Sequence, residues 1–358
     1  HYIFIDLRES STASDMSLVA EITYTQEPLR RVLSQILIYY TLIGFIAVVM
    51  GITMAYVIAR FLTTPITEIL EDVSKIAEGD LGHTIRSMPN PEFRRLEESI
   101  NMMIGKIQQF SQEIEREKAE IRIAAEIQRT FLPREIPESA RFEIAAMNIP
   151  AQEVGGDFYD FISLDERSLG LVIADVAGKG IPAALFMALS RSILRAIATA
   201  DQRVEETIEE SNSLIAADAA AGMFVTLFYC ILDRETGEAM YVNAGHNPPL
   251  HYSWKENRLR TLLPTGMAMG VMPDLSYSVG HFTLDTGDLL VLYTDGVTEA
   301  FNQNGEEFGE ERLMNAVYAS RDMSAGEILD AIFRQVTGFT GGAMQSDDIT
   351  LVIVRCRK

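Results

Sequence analysis

Residues 169–180 read LGLVIADVAGKG, and the fold is decided there. Leu169 to Asp175 is a short apolar run with β-branched residues, the pattern of a buried strand, and it halts at a carboxylate followed by Gly178-Lys179-Gly180. One aspartate closing a strand is usually only a turn. Three other places repeat the arrangement: Gly155-Gly156-Asp157 before Phe158 to Leu164, Thr294-Asp295-Gly296 after Leu289 to Tyr293, and Ser346-Asp347-Asp348 before Ile349 to Arg355. Four acidic clusters at strand boundaries put carboxylates at sheet edges, where glycine lets the backbone turn and leaves room for an ion. Hard oxygen donors without His or Cys favour Mg²⁺ or Mn²⁺ over Zn²⁺.

Around these clusters the spacing predicts further strands at Phe142 to Ile149, Phe224 to Asp233, Ala239 to Ala244 and Tyr277 to Leu284. Helical patterns lie at Pro182 to Ala200, Val204 to Ala220, Glu310 to Ala319 and Ala325 to Gly338. Strands with two helix pairs suggest an α+β domain of stacked sheets flanked by helices, over residues 135–358. Cys230 and Cys356 are too few for a disulfide framework or a thiolate zinc site, and read as buried apolar residues. The net charge of −21 is concentrated in this domain. Such an excess repels a phosphate backbone, which speaks against nucleic acid as a partner, and attracts divalent cations.

The first third of the chain is organised differently. No Asp, Glu, Lys or Arg occurs between Arg31 and Arg60, so residues 33–59 read as a transmembrane helix, with Tyr39, Tyr40 and Tyr56 near its ends. Residues 1–32, which open with strand-like His1-Tyr2-Ile3-Phe4-Ile5, read as the last piece of an extracytoplasmic sensor domain. Apolar positions then recur in steps of four and three: Leu62, Ile66, Ile69, Val73, Ile76, and again Leu96, Ile100, Met103, Ile107, Phe110, Ile114. These are heptad seams on two helices joined by a polar connector. The unit resembles a HAMP domain over residues 60–112, which implies a parallel four-helix bundle with a second copy of the chain. The second seam continues through Glu117, Ile121, Ala124, Gln128 and Phe131 to Pro133, giving a coiled-coil signalling helix at 113–134. Polar seam residues make such a coil easier to rearrange.

From residue 120 onward the motifs resemble the PPM metal-dependent Ser/Thr phosphatases, in the branch of the sporulation phosphatase and the stress-response regulators. They are Ala125-Glu126-Ile127-Gln128, Val154-Gly155-Gly156-Asp157-Phe158-Tyr159-Asp160, Asp175-Val176 to Gly180, Asn243-Ala244-Gly245-His246-Asn247-Pro248-Pro249, Tyr293-Thr294-Asp295-Gly296-Val297-Thr298-Glu299 and Asp347-Asp348-Ile349-Thr350. The resemblance implies an α-β-β-α sandwich and two metal ions, Mn²⁺ or Mg²⁺. Asp175 would bridge the ions, Asp295 and Asp347 would complete one, and Asp157 with the carbonyl of Val176 would serve the other. Asp157 and Asp175 are then the catalytic pair, and an activated water attacks phosphorus in line. The implied substrate is a phosphoserine or phosphothreonine protein, a STAS-domain anti-sigma antagonist, met at the inner (plasma) membrane by a homodimer whose catalytic domain is cytoplasmic.

Other readings are weaker. A diguanylate cyclase would share Gly155-Gly156-Asp157-Phe158 but lacks its second acid, and a histidine kinase would need a histidine between His83 and His246, where none occurs. A non-catalytic scaffold would be expected to have lost a carboxylate. The basic side chain that some branches place before the first aspartate is missing, with Gln152 near its place, and Lys179 reads as part of a turn leading into a helix.

Overall fold

The computed structural model describes residues 26–358 other than 87, 89, 201, 202, 220 and 221. The strand-like start of the expected sensor remnant, residues 1–25, lies outside the described residues. Residues up to 114 and from 115 onward form two units.

In the first unit, α1 (Glu27–Ile58) is an apolar helix without a buried side chain, long enough to cross a bilayer. One wider π-type turn, Ala59–Thr63, leads into α2 (Thr64–Ala77), which has Pro65 in its first turn. Gly79, at φ 107°, ends it. The connector is not loose, because Ile85 and Met88 pack with Ile69, Phe93 and Ile100. Asn101 and Glu97 accept hydrogen bonds from the backbone N–H groups of Ile85 and Met88, both at 3.0 Å. His83 Nε2 lies 2.8 Å from Asp72 Oδ1, and this hydrogen bond holds the Asp72 carboxyl below its usual range. The helix that follows, α3 (Pro91–Phe131), runs without interruption through the second seam. Leu96, Met103, Ile107, Phe110 and Ile114 all remain exposed along it.

Residue 115 onward contains two five-stranded sheets, antiparallel at every pairing. One is ordered β1 (Phe142–Ile149), β10 (Ile349–Cys356), β9 (Leu289–Tyr293), β6 (Leu250–Ser253), β7 (Arg258–Thr261). The other is ordered β2 (Phe158–Ser163), β3 (Ser168–Val176), β4 (Val225–Asp233), β5 (Glu238–Ala244), β8 (Gly280–Thr283). Alternation along β3 explains its unbroken apolarity. Leu169, Leu171 and Ile173 face the core between the sheets with Phe228, Leu290 and Val352, while Val172 and Ala174 join the layer beneath α4 (Ile181–Ala200) and α5 (Val204–Asp218). On the opposite outer face, α7 (Gly309–Ser320) and α8 (Ala325–Thr340) cover Leu289, Val291, Leu351 and Ile353. This is the expected α-β-β-α sandwich, and α4, although apolar enough to span a membrane, is a core helix.

Two elements go beyond the sequence reading. The β6–β7 hairpin escaped it because β7 is polar and largely exposed, so it shows no apolar alternation. The Asp295-Gly296 turn is in fact a single helical turn, α6 (Asp295–Thr298). The expected strand from Tyr277 shortens to Gly280–Thr283.

Trp254, the only tryptophan, stacks under Lys358 Nζ at 3.3 Å and so reports on this unit. Phe228→Ala, which empties a fully buried site between the sheets, should cost about 3–5 kcal/mol and lower the urea midpoint followed by Trp254 fluorescence. An unchanged midpoint would mean that this layer contributes little to stability.

Candidate active site

All four acidic clusters reach one edge of the sandwich, and strand register brings them there. Pairing of Phe158 with Ala174 sets Asp157 beside Asp175 at the end of the β2–β3 ladder. In the other sheet, Tyr293 pairs with Leu351, so the residues just after β9 and just before β10 lie side by side. The Thr294 N–H continues that ladder by donating to the Thr350 carbonyl at 3.2 Å.

Asp157 links the two sheets. Its Oδ2 accepts hydrogen bonds from the hydroxyls of Thr294 and Thr350, each at 2.7 Å. Asn148 Nδ2 donates in turn to the Thr350 hydroxyl at 2.8 Å. Asp348 does different work: its carboxylate accepts from the N–H groups of Ala151 and Gly156, both at 2.7 Å, and of Asp157 at 3.3 Å. It is a fastener for the loop before β2, with both oxygens engaged, which accords with Asp347 being the expected ligand of the pair. Asp347 is more open, and Lys179 Nζ stands 2.8 Å from its Oδ2.

Three glycines allow this approach. A Cβ on Gly155 would collide with the Asp348 carboxylate, and one on Gly296 with the Asp348 carbonyl. A Cβ on Gly156 would lie 2.9 Å from the carbonyl oxygen of Val176, the backbone ligand expected from the sequence.

The electrostatics follow from the crowding. Burial, reinforced by Asp175 and Asp348, holds the Asp157 carboxyl well above its ordinary range. Burial and then Asp295 push Asp175 up to about 7, although a hydrogen bond from Asp157 opposes the rise. Burial and Asp347 push Asp295 up to about 6. These are hard oxygen donors short of positive charge, the chemistry that suits Mg²⁺ or Mn²⁺. Among the described residues, however, no three such side chains converge into a ready cage. The donor set fits a divalent ion, but ligation would have to draw the carboxylates together.

Other motif residues prove to be supports. Asp160 is buried and paired with Arg191 at 2.9 Å and Arg195 at 2.8 Å, which ties α4 to β2. His246 is buried, its pKa depressed to about 4 by burial, with Nδ1 3.0 Å from the Thr226 hydroxyl. It is a neutral brace beneath the strand facing Asp175. Gln128 was read as a polar seam position, but it does more. Its Nε2 donates to the Gly155 carbonyl at 2.5 Å, and its Oε1 accepts from the Gly155 N–H at 3.2 Å, so α3 grips the loop two residues before Asp157.

Residues 165–357 match the family described as Stage II sporulation protein E (SpoIIE), and residues 57–109 match the HAMP domain. The chain belongs to the SpoIIE family of protein serine/threonine phosphatases. Phosphoserine phosphatase RsbU of Bacillus subtilis is 31% identical over 296 residues, covering 80% of this chain and 86% of that protein. Protein IcfG of a Synechocystis species is 32% identical over 351 residues, or 87% of this chain, which spans 55% of the length of IcfG. Among solved structures, the SiaA-PP2C domain of Pseudomonas aeruginosa superposes with a TM-score of 0.61 at 21% identity, over 68% of this chain and 98% of that one. The SpoIIE phosphatase domain of Bacillus subtilis with a regulatory fragment gives 0.53 at 22%, over 61% and 64%. Both likenesses show the PP2C fold.

The raised carboxyls fix the sign of a pH effect. Their protonated forms are favoured by folding, so the stability they add is full below about pH 4 and is lost as the pH rises through about 6 to 7. In chelator, the melting temperature of the full chain should fall between about pH 5 and pH 8, and Asp175→Asn should flatten part of that fall, as read by calorimetry. Parallel curves for the two proteins would show that Asp175 is not strained by its neighbours.

Proposed function

We propose that this chain is a signal-regulated phosphoprotein phosphatase, anchored in the plasma membrane by α1 and dimeric through its HAMP helices and the coiled coil of α3, with the catalytic domain on the cytoplasmic side. The observation that carries the catalytic reading is the set of buried and half-buried, undercompensated carboxylates at one edge of a SpoIIE-family fold. Dimerisation is supported by the apolar seam that α3 leaves exposed, since an isolated helix of this kind gains little stability of its own in water. Membrane anchoring is supported by the length and apolarity of α1 next to a HAMP match.

Asp157, Asp175 and the Val176 carbonyl would hold one ion, and Asp175, Asp295 and Asp347 the other, with Mn²⁺ or Mg²⁺ as the metal. Bound divalent ions supply a more acidic water and positive charge for the phosphoryl oxygens. The chain's own residues set that chemistry up. Thr294 and Thr350 fix one oxygen of Asp157, while Asp348 shapes the loop and Gly156 admits the Val176 carbonyl. The substrate is a phosphoserine or phosphothreonine protein, and a STAS-domain anti-sigma antagonist suits a relative of phosphoserine phosphatase RsbU. Regulation runs through α3: rotation or shift of the coiled coil changes the hold of Gln128 on Gly155, and so the readiness of Asp157 to take an ion.

Asp175→Asn should lower Mn²⁺-dependent hydrolysis of p-nitrophenyl phosphate by several orders of magnitude while the chain stays folded, and chelator should abolish it in the parent. Retained turnover in either case would rule the mechanism out. Gln128→Leu should weaken Mn²⁺ binding and turnover together by roughly 10-fold, about the loss of one to two buried hydrogen bonds. Equal affinity in mutant and parent would reduce α3 to a tether.

A further inference from the structure

Lys179 reads in the sequence as part of a turn, yet it stands against the acidic edge. Its ammonium lies 2.8 Å from Asp347 Oδ2 and 2.6 Å from the carbonyl of Ser346. The loop presenting it is shaped by backbone rather than by packing. Gly178 and Gly180 take φ of 114° and 73°, where L side chains are strained, and a Cβ on Gly178 would meet nothing within 4 Å. About half of the Lys179 side chain is open to solvent (49%), as is a third of Asp347 (32%), so the pair faces outward where a substrate would arrive.

Charge makes this position consequential. Five carboxylates, Asp157, Asp175, Asp295, Asp347 and Asp348, share the edge, and a phosphomonoester dianion must approach them. Arg191 and Arg195, the nearest candidates on α4, are committed to Asp160. Gln152, where a basic side chain could have stood, is neutral. Lysine is a compact point charge on a flexible stem, suited to phosphate oxygens and able to move a few ångströms without disturbing its loop.

Resting on the phosphatase reading above, we propose that Lys179 is the cation that binds the substrate's phosphoryl oxygens, and that its ion pair with Asp347 is exchanged for that contact when Asp347 ligates a divalent ion. One carboxylate oxygen cannot serve an ammonium and a divalent ion at full strength. A divalent ion held by Asp347 would weaken its pairing with the ammonium and leave that ammonium free for the incoming anion. The loss of Lys179 then has two effects of opposite sign: the ion at Asp347 loses a competitor, and the phosphate loses a partner.

Calorimetric titrations of the full chain in detergent micelles test this, first with Mn²⁺ and then with inorganic phosphate added to the Mn²⁺-saturated protein. Lys179→Met should bind Mn²⁺ about 2- to 5-fold more tightly, because a half-exposed ion pair is removed. It should bind phosphate roughly 10- to 100-fold more weakly, because a charge-assisted contact is lost, and Lys179→Arg should recover most of the phosphate affinity. Weakening of both ligands in Lys179→Met would identify a merely structural lysine, and unchanged phosphate affinity would remove the phosphate contact. Either result overturns the proposal. Neither titration needs turnover, so a chain that binds both ligands as described but hydrolyses no phosphoester defeats the phosphatase reading alone.

Discussion

Like charges held together against their repulsion are the constraint on which the rest of this structure depends. Asp157, Asp175 and Asp295 repel one another, yet they are gathered on one edge and kept partly dry by two sheets that share an apolar inner layer. The apolar layer between the sheets supplies the confinement. A few polar contacts set the geometry: two threonine hydroxyls from one sheet hold a carboxylate oxygen belonging to the other. Burial first and neighbouring carboxylates second push these carboxyls toward neutrality, and a bound cation would offset both.

That division of labour explains why the motifs read as they do. Glycines of the first and third clusters supply clearance that the other clusters need. Gly155 and Gly296 make room for Asp348, and Gly156 makes room for the Val176 carbonyl. The second aspartate of Asp347-Asp348 looks like a spare ligand on paper, yet three backbone N–H groups absorb it. Asp160 and His246, equally prominent in the motifs, brace α4 and the strand facing Asp175.

Much of this was legible because burial on both faces writes a strand as an apolar run, and because strand ends bearing Asp beside Gly recur. Long-range and side-chain-to-backbone contacts leave no such pattern. Gln128 and Gly155 are 27 residues apart, and an amide pairing with a peptide group leaves no periodic trace. Lys179 looked like turn filler because its partner Asp347 comes from the other end of the chain. The β6–β7 hairpin was missed for a different reason, since its second strand is polar and solvent-facing. His83 and Asp72 likewise join across a connector whose polar sequence gave no hint of order.

The grip of Gln128 has a consequence for how such proteins can be assembled from parts. Gln128 lies on α3, so the face of the helix it occupies follows from its place in the helical repeat. Each residue added or removed upstream turns that position by about 100°, whereas about seven restore it nearly to phase. Under the regulation proposed through α3, an insertion ahead of Gln128 would keep its phase at about 7, 11 or 18 residues and lose it between them. The amide of a single glutamine would then be the gauge by which such an insertion is accepted or refused.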